Sequence, residues 1–248
     1  MQTADCEAAT VGEVAKQIEE AIDAVAVEPC DRFANLLENH LMGKELIELI
    51  SFDGVCDSKG RVAFPTHHVF PTPIMDVVNE DKDVFYYTNK EIPQDLYDAG
   101  QRVLLAFGAK SRFYHLEFFR LTEDKKGLGK KGDLIGLEVN MRAPGGYTPD
   151  MINFAYSCDI YQIWADVMAF DEVRHAPTLE KQYCCYCARR FDRAYKHSID
   201  EILEKYKQIC FYKDNPKVLS DAMGDYFFMC RFVNKEDMDE YIKFILEK

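Results

Sequence analysis

The sequence predicts an α+β fold: an antiparallel sheet with flanking helices, then a small βαβα unit. Three observations predict it. Two apolar segments, RFYHLEFFRL (112–121) and DLIGLEVNMR (133–142), flank the polar, glycine-bearing loop TEDKKGLGKKG, as the arms of an antiparallel hairpin do. A second apolar pair flanks Asp57-Ser58-Lys59-Gly60, a good polar hairpin turn. From about Gln182 onward, strand-like and helix-like stretches alternate as βαβα.

The elements follow in chain order. Val11, Val14, Ile18, Ile22 and Val25 recur close to every 3.6 residues, which predicts an amphipathic helix with Thr10 as its cap. Residues 33–64 read as strand, turn and hairpin. Residues 67–90 read as irregular with short strands, broken by Pro71 and Pro73. A helix starts near Pro93 and ends near Gly108, which can supply a left-handed cap. After the 112–142 hairpin, Thr148 is read as an N-cap ahead of Pro149, opening a helix to about Phe170. The tail reads as strand QYCCYCARRF, helix SIDEILEKYKQI, strand DYFFMCRFV and helix KEDMDEYIKFILEK. The expected division is 1–175 and 176–248.

Composition narrows the function classes. The 248 residues are 48% hydrophobic and carry a formal net charge of −13. That acidity argues against a broad nucleic-acid or anionic-membrane footprint. No uncharged apolar run reaches the roughly 18–20 residues a membrane span needs. The first ten residues, MQTADCEAAT, lack the basic and apolar regions of a signal peptide. Nine cysteines without such a signal read as reduced thiols of a cytoplasmic protein.

The stretch LEVNMRAPGGYTPDM carries the chemistry. Glu138, Asn140 and Arg142 alternate, so a strand would project them together. His115, Glu117 and Phe119 alternate likewise on the preceding strand. Antiparallel pairing would bring Glu117 near Glu138 or Asn140. Two carboxylates and an amide are hard oxygen donors that suit Mg²⁺ rather than zinc. Arg142 adds a bidentate donor for phosphate or carboxylate. Gly145 and Gly146 let backbone approach a ligand, and the following helix start offers N–H groups to an anion. The pieces converge on a metal–polyphosphate site. The alternative is a surface hairpin with a Glu138–Arg142 salt bridge. His115 reads as packing or as a hydrogen-bond donor behind the metal ligands.

Weaker signals read structurally. Cys184, Cys185 and Cys187 are strand thiols, with Cys185 and Cys187 on one face. His67 and His68 fall on opposite strand faces. GLGKKG is not a P-loop, because a strand follows it. Arg189, Arg190 and Arg193 read as solvated charge, with a subunit or substrate contact as the alternative.

HLEFF followed by LEVNMRAPGG resembles the metal-binding core of the ATP-grasp superfamily, nearest its carboxylate–amine ligase and carbamoyl-phosphate synthase large-chain-like branch. Glu38, Leu41, Gly43 and Glu45 fit the E-x-x-(apolar)-x-G-x-E hinge pattern that precedes a hairpin in that family. The resemblance runs from about Ala34 to Phe170, and the tail from Tyr183 resembles the extension that follows. It implies the C-terminal ATP-grasp subdomain, with ATP and two Mg²⁺ ions as cofactors and Mn²⁺ as an alternative ion. Glu117 would be the first metal ligand, Glu138 the bridging carboxylate and Asn140 the amide ligand of the second metal. Arg142 would be catalytic, neutralising the transferred phosphate. Glu38, Asn39, His40 and Leu41 would hold adenine, Glu45 the ribose, and Gly145 and Gly146 would lie against the nucleotide.

The implied chemistry is an ATP-dependent C–N ligation. A small carboxylate is phosphorylated, and an amine attacks the acyl phosphate. Only about 35 residues precede the hinge, and ADCEAATVGEVAKQIEE resembles at best the end of the first subdomain. The resemblance therefore implies an N-terminally truncated enzyme, either a homo-oligomer or joined by a partner chain that supplies the N-terminal half. The alternative is an inactive fragment or a nucleotide-binding module.

Overall fold

A computed structural model describes residues 47–72, 77, 82–126, 128–177, 179–207 and 210–248. The expected helix at 11–25 and the hinge residues Glu38, Asn39, His40, Leu41 and Glu45 lie outside the described residues.

Eight strands form one antiparallel sheet: β1 Ile47–Cys56, β2 Val62–Phe70, β3 Val84–Thr88, β4 Arg112–Leu121, β5 Leu134–Asn140, β6 Tyr183–Arg189, β7 Cys210–Asp214 and β8 Tyr226–Phe232. Their order across the sheet is β5-β4-β1-β2-β3-β6-β8-β7. The tail strands thus continue the same sheet rather than forming one of their own. Helices named among the described residues are α1 Gln94–Ala106, α2 Thr148–Tyr156, α3 Ile160–Phe170, α4 Ile199–Tyr206, α5 Ser220–Met223 and α6 Lys235–Leu246.

Strand alternation sends side chains to two cores. One face carries Leu49, Val55, Phe64, Phe70, Phe113, Phe119, Tyr186 and Phe227 and packs against α2 and α3. The other carries Ile50, Phe52, Tyr114, Leu116, Phe118 and Phe228 and packs against α1 and α6.

Local chemistry accounts for the elements. The β1–β2 turn closes around Asp57, whose Oδ1 accepts from the Lys59 and Arg61 amides, each at 2.9 Å. Pro71 ends β2, but the two histidines before it lie inside the strand and not in an irregular segment. Helix α1 buries Leu96, Ala99, Gly100, Val103 and Leu104, the spacing of one helical face. It ends as expected at Gly108, φ +61°, where the Gly108 and Ala109 amides return to the Leu105 and Leu104 carbonyls. Gly100 lets the helix sit on β1, because a Cβ there would fall 2.2 Å from Phe52 Cδ1.

Three expectations need correction. The helix from Thr148 to Phe170 is two helices. Ser157 turns left-handed at φ +51°, and Asp159 caps α3 by accepting from the Tyr161 and Gln162 amides. Thr148 is the first helical residue rather than the cap; Tyr147 holds that position with no side-chain cap bond, and Thr148 instead hydrogen-bonds Tyr86. The tail also contains an extra strand. β7 follows directly on the helix expected over 198–209, in a stretch where no element is expected because it is five residues long with exposed Phe211, Lys213 and Asp214, as suits an edge strand.

The cysteine and arginine readings also change. Cys210 and Cys230 stand opposite each other on β7 and β8 and are joined as a disulfide, so the expectation of reduced thiols fails for this pair. Cys184, Cys185 and Cys187 are buried strand thiols as read, and burial pushes each far above the ordinary thiol range. Arg189 and Arg190 are buried and not solvated. Arg189 donates to the Ile245 and His197 carbonyls at 2.6 and 2.7 Å, and Arg190 to those of Ser220 and Asp221. Arg193 pairs with Asp83 at 2.7 Å.

Candidate functional site

Three adjacent strands repeat one pattern on the face under α2 and α3. β4 reads Phe113-His115-Glu117-Phe119, β1 reads Leu49-Ser51-Asp53-Val55, and β2 reads Phe64-Thr66-His68-Phe70. Each strand alternates in and out, and each carries two polar residues between two apolar ones. Register aligns these pairs into rows. The first row runs Glu138, Glu117, Ser51, His68, Thr88, Cys184, Arg231 across seven strands. The second runs Asn140, His115, Asp53, Thr66.

Glu117 lies directly opposite Glu138, and His115 opposite Asn140. A register shift between Glu117 and Phe118 leaves Leu137 as an extra residue on β5. The shift changes parity. Ile135 packs into the same core that Glu138 and Asn140 border, although strict alternation would separate them. The strand ends at Asn140, and Met141 and Arg142 bend away. The alternation expected to align Arg142 with Glu138 and Asn140 therefore stops one residue pair short. Arg142 is exposed, and its guanidinium donates to the Ala143 carbonyl at 3.0 Å. The turn then uses Gly146 at φ +59°, where a Cβ would meet Met223 Cε at 3.3 Å, while Gly145 faces open space. It delivers the chain to α2, whose first turn has no side-chain cap.

Sequence reading overlooked Asp53. It is fully buried, and its carboxylate accepts from the Ser51 hydroxyl and pairs with both His68 Nδ1, at 2.8 Å, and His115 Nδ1. The other nitrogen of His115 reaches Glu117 Oε1 at 2.9 Å. Burial alone would raise the Asp53 carboxyl, but the two histidines outweigh it and hold it well below the carboxylate range. Burial alone would likewise lower His115, yet Asp53 and Glu117 raise it to about 10, so it is a cation at neutral pH. His67 and His68 do lie on opposite faces. His67 bonds the Glu91 carbonyl instead, and burial lowers it to about 4. The signal for Asp53 was present in ISFDGVC, an acid two residues after a serine inside an apolar strand.

The donor set fits a hard cation. Two carboxylates directly opposite on neighbouring strands repel unless a positive charge lies between them. Buried Asn140 Nδ2 finds no hydrogen-bond partner among the described residues. An amide's nitrogen and oxygen are interchangeable assignments, so Asn140 can turn its oxygen to a ligand. Among the described residues, no group of three or more His, Cys, Asp or Glu is spaced to hold a metal by itself. Nor is any helix there long and apolar enough to cross a membrane.

The fold is similar to that of solved structures of a synthetase and of a carboxylase ATPase subunit. Over 79% of its length the chain is similar to phosphoribosylglycinamide synthetase from Anaerococcus prevotii, with TM-score 0.51, 11% identity and 51% of that chain covered. It is similar over 80% of its length to the phosphoribosylaminoimidazole carboxylase ATPase subunit from Aquifex aeolicus, with TM-score 0.51, 16% identity and 57% coverage. The chain thus spans about half the length of these structures, and at such identities the likeness speaks to fold alone. No family model and no curated protein matches the sequence.

Proposed function

We propose that this chain is the ATP- and Mg²⁺-binding portion of an ATP-grasp ligase that activates a carboxylate as an acyl phosphate for attack by an amine. One observation carries the reading. The direct pairing of Glu117 with Glu138, beside Asn140 and His115, builds an oxygen-donor edge on the sheet face that leads into the Gly145-Gly146 turn. Mg²⁺ is commonly held by one or two carboxylates plus substrate phosphates, not by an all-protein cage, which suits this sparse set.

Glu117, Glu138 and Asn140 would hold the ion, which when bound neutralises polyphosphate charge. Arg142, exposed beside the turn, would meet the oxygens of the transferred phosphoryl group with a fixed cation. The Gly145-Gly146 turn ahead of α2 would let backbone approach the nucleotide. The small carboxylate and amine would react on this face.

Titration calorimetry of the full chain with Mg-ATP tests the reading. The Glu138→Ala variant should bind at least about 10-fold more weakly while keeping its circular dichroism spectrum. Equal affinity for wild type and variant would remove Glu138 from the site.

A further inference from the structure

The residue that ties the site together is Asp53, which touches none of the proposed ligand atoms. A fully buried carboxylate costs several kcal/mol to desolvate unless its oxygens are satisfied. Along the same face of β1 the polar pair Ser51 and Asp53 is flanked by apolar Leu49 and Val55, as that core requires. Asp53 is satisfied from three sides, by Ser51, His68 and His115. The His115 arm leads outward. One ring nitrogen is held by Asp53 and the other contacts Glu117 Oε1 at 2.9 Å, so both ends of the imidazole are fixed. The ring cannot flip without losing both bonds. The His68 arm leads the other way along the sheet and ends at an Nε2 with no hydrogen-bond partner among the described residues.

We infer that Asp53 is a positioning residue for the metal–polyphosphate site: through His115 it fixes the Glu117 carboxylate, with Oε1 engaged and Oε2 left to face the cation. This rests on the proposed function, since it gives Glu117 the role of a metal ligand. Outer partners that orient metal ligands typically change affinity 10–100-fold when removed.

The test uses the full chain with Mn²⁺ titrated in the presence of ATP and followed by electron paramagnetic resonance. Each variant's urea midpoint is measured alongside. Asp53→Asn and His115→Gln should each weaken Mn²⁺–ATP binding at least about 10-fold, and the double variant should be no weaker than the singles, because one chain of contacts is broken once. His68→Gln breaks the opposite arm of the same buried carboxylate. It should lower the urea midpoint and leave affinity within about 2-fold. If affinity falls in step with lost stability in all the variants, or if Asp53→Asn binds like wild type, the inference is overturned. Should Asp53→Asn fail to fold, His115→Gln and His68→Gln still decide it. Wild-type chain that binds no Mn²⁺–ATP would be a different failure, that of the site itself.

Discussion

Replacing His115 by glutamine should remove a pH-dependent part of the chain's stability. In the folded state His115 lies between Asp53 and Glu117, with His68 on the far side of Asp53. Burial lowers its pKa, but the two carboxylates outweigh burial and raise it from 6.5 to about 10. A group raised on folding contributes fully below its unfolded pKa, and the contribution is lost as pH climbs through the folded value. The window is therefore pH 6.5 to about 10. Inside it the folded chain holds one proton that the unfolded chain lacks, so stability should fall by about 1.4 kcal/mol per pH unit. The whole linkage is bounded near 5 kcal/mol, and the portion between pH 7 and 9 is about 3 kcal/mol. Urea unfolding in EDTA, followed by the fluorescence of Trp164, the chain's one tryptophan, measures it. The stability gap between wild type and His115→Gln should narrow steadily from pH 7 to 9. A gap that stays constant over that range would refute the protonated His115.

Other substitutions address the frame. Gly54→Ala places a Cβ 1.9 Å from the Phe64 carbonyl oxygen at φ +149°, so it should cost at least about 3 kcal/mol, read as a lower thermal midpoint. Cys210→Ser opens a link between residues 20 apart, which the chain-entropy account values at about 3 kcal/mol. Dithiothreitol should bring wild type to the variant's stability and leave the variant unmoved. Arg189→Met strands the Ile245 and His197 carbonyls, so a loss of about 2–4 kcal/mol is expected, with faster hydrogen exchange at the end of α6.

The hairpin elements were legible because each has a local signature. Asp57 to Gly60 announces the first hairpin, and the lysine–glycine loop the second. Gly108 marks the end of α1. What stayed hidden either lacked a distinctive local signature or depended on partners distant in sequence. The division of α2 from α3 turns on Asp159, which looks like any acid in an apolar stretch until its capping bonds are seen. The alignment of Glu117 with Glu138 could be narrowed to two choices from alternation. The shift at Leu137 that also lets Ile135 reach the core could not, because an inserted residue reverses parity without changing composition. Arg142 was misplaced for a related reason, since alternation says nothing about where a strand stops. Asp53 was missed because its function lies in two histidines, 15 and 62 residues away.

The polar rows explain why this face can serve a ligand without unfolding the sheet. On β1, β2 and β4 the polar pair is bracketed by apolar residues on the same face, so each strand remains anchored at both ends of the row. Asp53 and His115 carry opposite charges and sit within the sheet, while Glu117 and Glu138 face outward with less burial. Buried charge is thus balanced internally, and the unbalanced negative charge lies at the β4–β5 edge. Like charges opposed there repel and lower stability by up to about 1 kcal/mol. A cation bound between them would reverse that sign, so filling the proposed site should stabilise the β4–β5 edge. On the proposed reading, the attachment of β5 to β4 should tighten when the site fills, and the Gly145-Gly146 turn that follows it should tighten with it.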